Sequence, residues 1–167
     1  MKKVIVFMFC LFLFACDDGD LTLQSFNFEG QNIQKCTNNN LIFKIKNDEL
    51  LLINIPGSNF ANTVTPDDQP RVVNINSSNS IIYRKYSGNL SSSTICSTLA
   101  PANPVVNKEW NATGGTILIA TNALFDIDGT TLIGYTHNIT FVNVSFSNSD
   151  NTFSFTTYLF GDYETRL

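Results

Sequence analysis

Residues 116–141 read TILIATNALFDIDGTTLIGYTHNITF. Apolar and polar side chains alternate in both halves of this stretch, on either side of the loop at residues 127–129. Strict alternation is typical of β-strands that bury one face. A three-residue loop keeps the buried faces of the two strands in phase, and Gly129 suits the left-handed third position of such a loop. The stretch therefore predicts an antiparallel hairpin.

A second hairpin is predicted from the segment that follows. Its expected cross-strand pairs are Phe146 with Phe153, Val144 with Phe155, Phe141 with Tyr158, and Ile139 with Phe160. The apolar parity changes on both strands at the level of Phe141 and Tyr158. Long strands change their buried face in this way where a bulge or strong coiling bends the sheet.

A further hairpin is predicted nearer the start of the domain, across a turn at residues 47–49. The alternation places its apolar residues on one shared face, namely Leu41, Phe43 and Ile45 with Leu51, Ile53 and Ile55. Together the three hairpins indicate a sheet built from neighbours along the chain.

Short alternating segments recur between clusters of Asn, Ser, Gly and Pro, and no window longer than about ten residues has the apolar spacing of an amphipathic helix. The predicted class is all-β, an antiparallel two-layer β-sandwich, with a partly open β-barrel as the alternative. The predicted strands are residues 21–29, 41–46, 50–55, 71–76, 80–86, 105–111, 116–126, 131–147 and 152–163.

The first fifteen residues have the pattern of a signal peptide. Two lysines precede an apolar run at residues 4–14, which is far shorter than the roughly 20 residues of a membrane-spanning helix. The run ends in LFAC at residues 13–16. This resembles the lipobox of bacterial lipoproteins, although Phe14 is bulkier than usual there. The resemblance implies cleavage before Cys16 and membrane attachment through lipid on that cysteine. The alternative is an ordinary cleaved signal with a coincidental cysteine.

Asp17, Asp18 and Asp20 follow the cysteine and read as an acidic tether. The run resembles the surface-export signal of lipoproteins from Bacteroidota-type outer membranes, which implies a surface-exposed outer-membrane location in the cell envelope. An aspartate directly after the lipidated cysteine is also associated with inner-membrane retention in some proteobacteria, which is the alternative for Asp17. The expected organisation is a signal peptide at 1–15, a lipidated cysteine and tether at 16–20, and a single β-sandwich domain at 21–167.

Composition limits the partners. Removal of the two signal-peptide lysines changes the net charge from −4 to −6, which argues against nucleic acid and anionic lipid as partners. Charged residues make up only 14% of the chain, against about 25% in typical soluble domains. Asn, Ser and Thr fill the polar positions instead, as is frequent on exported β proteins.

Cys36 and Cys96 remain once the signal peptide is removed and Cys16 is acylated. In an oxidising compartment they are expected to form a disulfide. The alternative is two separate buried thiols. A metal site is a weaker interpretation, because no second cysteine or histidine lies at ligand spacing from either residue.

Catalytic signatures are weak. His137 is the only histidine, and its position in the alternation favours a partly buried, hydrogen-bonded side chain over a catalytic base. Residues 126–129, DIDG, are better explained as turn chemistry than as a calcium loop, and residues 67–68 as an exposed turn. No catalytic residue, metal or cofactor is therefore expected.

Aromatic residues supply the remaining candidate site. Trp110 with Tyr83, Tyr86 and Tyr135 could form a platform for sugar rings or a peptide, and the competing interpretation is that these rings cover the core. The expected function is a lipid-anchored, non-catalytic binding or structural module whose partner is a glycan or a protein. The alternative is a secreted-side hydrolase or carbohydrate-binding protein with a cleft near His137 or Trp110.

Overall fold

The computed structural model describes residues 26–167, and its strands confirm the all-β class. Every strand pairing is antiparallel. A 3-10 turn at Gly57–Phe60 and a single helical turn, α1, at Ser92–Cys96 are the helical elements of the described part. The strands are β1 Gln34–Lys35, β2 Leu41–Lys46, β3 Glu49–Asn54, β4 Arg71–Asn74, β5 Ser80–Tyr86, β6 Val106–Phe125, β7 Leu132–Ser147 and β8 Thr152–Arg166.

The strands form one continuous sheet in the order β1-β2-β3-β5-β6-β7-β8, and β4 lies beside β5 on the same edge of β6. Two strands separate β5 from β8, so a flat sheet would hold them about 14 Å apart. The ring centroids of Tyr83 and Phe153, on these two strands, are only 6.4 Å apart. The sheet therefore curls into a half-barrel, which matches the partly open barrel more closely than the two-layer sandwich.

The hairpin of β6 and β7 has the predicted parity, but its loop is longer than the predicted three residues, because Phe125 pairs with Leu132. Ile117 pairs with Phe141, Ile119 with Ile139 and Thr121 with His137. The backbone of Gly129 has the predicted left-handed conformation, with φ of 70°. Segments 105–111 and 116–126 were predicted as two strands, and they belong to one strand, β6.

Two irregularities at Gly114 and Gly115 allow β6 to run continuously through its glycine pair. Gly115 has φ of 111°, and a Cβ atom there would lie 2.6 Å from the carbonyl oxygen of Asn143. Glycine is required at this position because the backbones of β6 and β7 approach too closely for a side chain. The glycine pair is thus a bulge and not a strand end.

The hairpin of β7 and β8 has the predicted pairs as far as Phe141 with Tyr158. Ile139 then pairs with Gly161, and the predicted pair with Phe160 is wrong by one residue. The register shifts between Ile139 and Thr140, and Gly161 adopts φ of 126°. The extra residue in β8 is a bulge that the alternation alone does not locate.

The hairpin of β2 and β3 differs from its predicted register. Its turn has two residues, Asn47 and Asp48, because Lys46 pairs with Glu49. Phe43 therefore lies opposite Leu52 and not on the face of Ile53. A turn shorter by one residue moves each side chain of β3 to the other face. Asn47 has φ of 55°, which suits a tight hairpin turn.

The predicted first strand at residues 21–29 falls partly outside the described residues, and its described part is not a strand. Phe26 and Phe28 are nevertheless buried, and their rings pack between β5 and β8. This extended segment fills the open side of the half-barrel, where aromatic rings replace strand pairing. Within residues 26–167 no helix is long and apolar enough to cross a membrane.

Strands β2, β3 and β5 are buried on both faces. The face inside the curl belongs to the core cluster, which is Phe26, Phe28, Ile42, Leu51, Ile53, Ile55, Phe60, Val73, Ile81, Tyr83, Trp110, Ile117, Ile119, Ile139, Phe141, Val144, Phe146 and Phe160. The opposite face carries the outer cluster, which is Cys36, Phe43, Leu50, Leu52 and Tyr86. The outer cluster is covered by the chain that connects β5 to β6, and a candidate site lies beneath this cover.

Candidate functional site

Cys36 and Cys96 form a disulfide, as predicted. Cys36 follows β1, and Cys96 ends the short helix α1, so the bond fastens the β5–β6 connection to the outer face of the sheet. The carbonyl of Asn47 accepts a hydrogen bond of 2.8 Å from the backbone N–H of Leu90 and ties the start of the same connection. A disulfide and a backbone hydrogen bond therefore hold this connection against the sheet.

Between this connection and the sheet lies the disulfide groove, with a volume of about 480 Å³. Its floor comes from β2, β3 and β5, and its wall comes from α1 and residues 97–106. The lining is mostly aliphatic or prolyl, and consists of Leu41, Leu52, Arg84, Tyr86, Thr94, Ile95, Ser97, Thr98, Ala100, Pro101, Pro104, Val105 and Val106. Its volume lies within the roughly 300–1,000 Å³ typical of small-molecule sites.

The charge in the groove lining is already paired. Arg84 Nε donates to Glu109 Oε2 at 2.6 Å, and Asn111 Nδ2 donates to Glu109 Oε1 at 3.1 Å. Burial alone would raise the pKa of Glu109, but these hydrogen bonds outweigh it and lower the pKa. Glu109 thus stays ionised near neutral pH and neutralises Arg84, so the groove offers apolar and neutral polar side chains without free charge.

Two of the four predicted aromatic ligand residues are core residues. Trp110 and Tyr83 have 1% and 0% of their surface exposed, so they cannot present a platform to a sugar or peptide. Trp110 Nε1 donates to Asn151 Oδ1 at 2.7 Å. Tyr86 is buried except for the part that lines the disulfide groove, and Tyr135 is half-buried outside it. The interpretation that these rings cover the core is the one that the geometry supports.

The phenol of Tyr83 belongs to a buried polar contact at the end of β3. Its hydroxyl donates to Glu49 Oε1 at 3.0 Å, and Lys85 Nζ lies 3.2 Å from the same oxygen. Burial, followed by the charge of Glu49, raises the pKa of Tyr83 far above its usual range. Tyr83 therefore keeps its proton and remains a hydrogen-bond donor, and this contact stabilises the core.

His137 is fully buried, more deeply than the partly buried side chain that its position in the alternation predicted, and it is hydrogen-bonded as expected. Arg71 donates to the hydroxyl of Thr121 at 2.5 Å, and that hydroxyl lies 2.9 Å from His137 Nδ1. On the other side of the ring, Nε2 lies 3.2 Å from the hydroxyl of Thr165, which in turn donates to Asn62.

The direction of this hydrogen-bond chain fixes the tautomer of His137. The Thr165 hydroxyl donates to Asn62, so it must accept from Nε2–H, and Nδ1 of the neutral ring then accepts from the Thr121 hydroxyl. Burial and the positive charge of Arg71 both lower the pKa of His137. A neutral, enclosed imidazole of this kind has a structural role, and neither His137 nor Trp110 opens onto a cleft.

The acidic turn at residues 126–129 has the predicted turn chemistry. Asp128 accepts hydrogen bonds from the backbone of Thr130 and Thr131 at 2.9 Å and from the Thr131 hydroxyl at 2.6 Å. These bonds lower the pKa of Asp128. Its oxygens are thus occupied by the hairpin loop. Within the described range, no group of three or more His, Cys, Asp and Glu side chains has an arrangement that could hold a metal ion.

A smaller cavity, which the sequence did not indicate, lies on the open side of the half-barrel. This seam pocket has a volume of about 330 Å³ and is lined by Asn27, Glu29, Gly30, Lys44, Tyr158, Leu159, Phe160 and Gly161. Lys44 alternates with the apolar residues Phe43 and Ile45 of β2, a position typical of the polar face, but it is only 7% exposed. A lysine within an alternating strand gives no signal of burial, because the residues that cover it come from distant parts of the chain.

The lipidation site Cys16 and the tether residues Asp17, Asp18 and Asp20 lie outside the described residues. No protein-family model, curated protein or solved structure matches the chain.

Proposed function

We propose that the protein is a lipid-anchored, non-catalytic binding module of the cell envelope, carried on the outer membrane and exposed at the cell surface. The lipobox at residues 13–16 and the acidic tether after it support the anchor and the location. The disulfide between Cys36 and Cys96 supports a location outside the cytoplasm, because disulfides persist in oxidising compartments.

The disulfide groove is the proposed binding site, and one observation carries this proposal. The groove is preformed between the sheet and a connection fastened by a disulfide, and the cation in its lining, Arg84, is neutralised by Glu109. A preformed site reduces the entropic cost of binding. The proposed ligand is an uncharged, largely apolar group, either a small molecule or an aliphatic or aromatic portion of a protein or glycan partner.

Nile red, a neutral apolar dye, provides a direct probe of the groove. Ala100 lines the groove, so Ala100→Trp should fill it and weaken dye binding by about fivefold or more. Ala102→Trp on the same connection is the matched control, because Ala102 is exposed outside the lining. Equal dye affinities of the two variants would contradict dye binding in the groove.

The anchor and the location are tested separately by protease digestion of intact cells that express the full chain. We expect digestion of the wild-type protein on intact cells, and release of the Cys16→Ala variant from the membrane fraction. Lysed cells serve as the digestion control. Protection of the wild-type protein until lysis would contradict surface exposure and favour a periplasmic location. Retention of Cys16→Ala in the membrane would contradict the lipid anchor.

A further inference from the structure

The seam pocket lies where the curled sheet remains open. Four strands separate β2 from β8 in the sheet order, yet Lys44 Nζ on β2 is 5.5 Å from the ring centroid of Phe160 on β8. The two strands do not pair with each other, and residues 27–30 cross between them. The curl therefore brings an ammonium group, two aromatic rings and a loop around one cavity of about 330 Å³.

The ammonium of Lys44 is incompletely satisfied within residues 26–167. It donates one hydrogen bond, to the carbonyl of Phe28 at 3.3 Å, although an ammonium carries three donors. The salt bridges of these residues involve Arg84, Lys85 and Arg166, and none involves Lys44. Buried lysines are rare unless they are paired. A group with unused donors beside a cavity is a site for an anionic ligand group.

Burial lowers the pKa of Lys44, and the negative charge of Asp162 opposes that shift. The pKa is lowered because desolvation disfavours the charged form more than Asp162 favours it. An anion in direct contact with the ammonium would supply the salt bridge that the described residues do not.

Tyr158 supplies a second donor. Its hydroxyl accepts a hydrogen bond of 3.4 Å from the backbone N–H of Phe28, which leaves its own proton free to donate. Gly161 keeps space around the ammonium, since a Cβ atom there would lie 3.4 Å from Lys44 Nζ. The walls formed by Leu159 and Phe160 are apolar.

We propose that the seam pocket binds a small monocarboxylate with an apolar body, whose carboxylate is held by Lys44 and Tyr158. The cavity volume lies at the lower end of the roughly 300–1,000 Å³ of known ligand sites, so the ligand is small. The carboxylate of Glu29 in the lining repels negative charge on the ligand, so we propose one carboxylate beside Lys44 and not two. This site is independent of the disulfide groove and of the proposed lipid anchor.

Phenylacetate and phenylacetamide form a matched probe pair, since they differ in charge but hardly in shape. We expect calorimetric titration of the purified full chain to detect phenylacetate in the millimolar range and to give affinity weaker by about tenfold or more for the amide. Equal affinity for the two probes, or no phenylacetate binding in this range, would overturn the proposal.

Variants then assign the site. Lys44→Met should weaken phenylacetate binding by about tenfold and leave the amide unchanged, while Glu29→Gln should strengthen phenylacetate binding by about twofold. Unchanged phenylacetate affinity in Lys44→Met would place the binding elsewhere and overturn the proposal.

Tyr158→Phe tests the same site if Lys44→Met does not fold. Loss of the Tyr158 hydroxyl should weaken phenylacetate binding severalfold and should weaken phenylacetamide binding much less. Equal loss for both probes would also overturn the proposal.

Discussion

The two faces of strands β2, β3 and β5 are buried by different means. The core cluster unites eighteen buried residues from both halves of the described chain, and the outer cluster contains only five. Long hairpins close the core cluster, whereas a disulfide closes the outer one. The sheet therefore provides its own core on the curled side, while its outer face depends on a covalently fastened connection.

The difference matters for function because the disulfide groove lies beside the outer cluster. A small apolar cluster contributes little burial energy, and the connection above it must still be held in place for the groove to exist. The disulfide supplies that constraint without filling the space with side chains. Each of the following predictions tests one side of this contrast.

The largest effect is expected in the core cluster. Phe141 is fully buried and stacks against Tyr158 and Phe160, with ring centroids 5.7 and 5.4 Å away. Phe141→Ala should therefore reduce the free energy of unfolding by about 3–5 kcal/mol in urea denaturation. Phe125→Ala, near the exposed end of the same hairpin, should cost less than about 1 kcal/mol. Similar losses for both variants would contradict a core centred on the curled face.

The second effect concerns the outer cluster. Cys36 and Cys96 are 60 residues apart, so loss of the bond should lower the free energy of unfolding by up to about 4 kcal/mol in the chain-entropy model. The double variant Cys36→Ala/Cys96→Ala should also lose Nile red binding in the disulfide groove. Wild-type protein treated with reductant is the matched comparison. A loss of stability below about 1 kcal/mol with intact dye binding would mean that the outer cluster holds itself together.

The third effect concerns the bulge at Gly114 and Gly115, through which β6 runs as one continuous strand. Gly115→Ala should cost about 1–3 kcal/mol, because its Cβ atom would meet the Asn143 carbonyl and its φ is positive. Gly114→Ala is the matched control, since a Cβ atom at Gly114 meets nothing within 4 Å. Urea denaturation of the two variants makes the comparison. Equal stability would show that the backbone relaxes at the bulge without cost.

The sequence predicted the hairpins of the curled side well for a physical reason. β6 and β7 alternate because one face is buried and the other is partly exposed, and Gly129 marks the loop between them. β2 and β3 are buried on both faces, so their pattern does not mark which side chains belong together. The turn at Asn47 and Asp48 was therefore assigned one residue too many.

The candidate sites were less predictable than the fold. Cys36 and Cys96 indicated the disulfide, but residues 97–106 have no periodicity from which a groove could be inferred. Lys44 alternates with apolar neighbours as a surface lysine would, and only the curl of the sheet brings Phe28 and Phe160 around it. Both sites form through contacts between segments that are distant in the sequence, and local sequence patterns do not indicate such contacts.

The smallest effect is a pH dependence of folding stability, which originates in the buried side chain of His137. Its pKa is lowered in the folded protein, so the unfolded chain binds a proton near pH 6.5 while the folded chain does not. Stability should thus be complete above pH 6.5 and fall as the pH drops below it, by at most about 1.4 kcal/mol per pH unit. Urea denaturation between about pH 7.5 and 5.5 isolates this group, because most carboxylates titrate lower. His137→Gln should remove the slope, and stability that is flat or rises on acidification in the wild type would contradict an enclosed neutral imidazole.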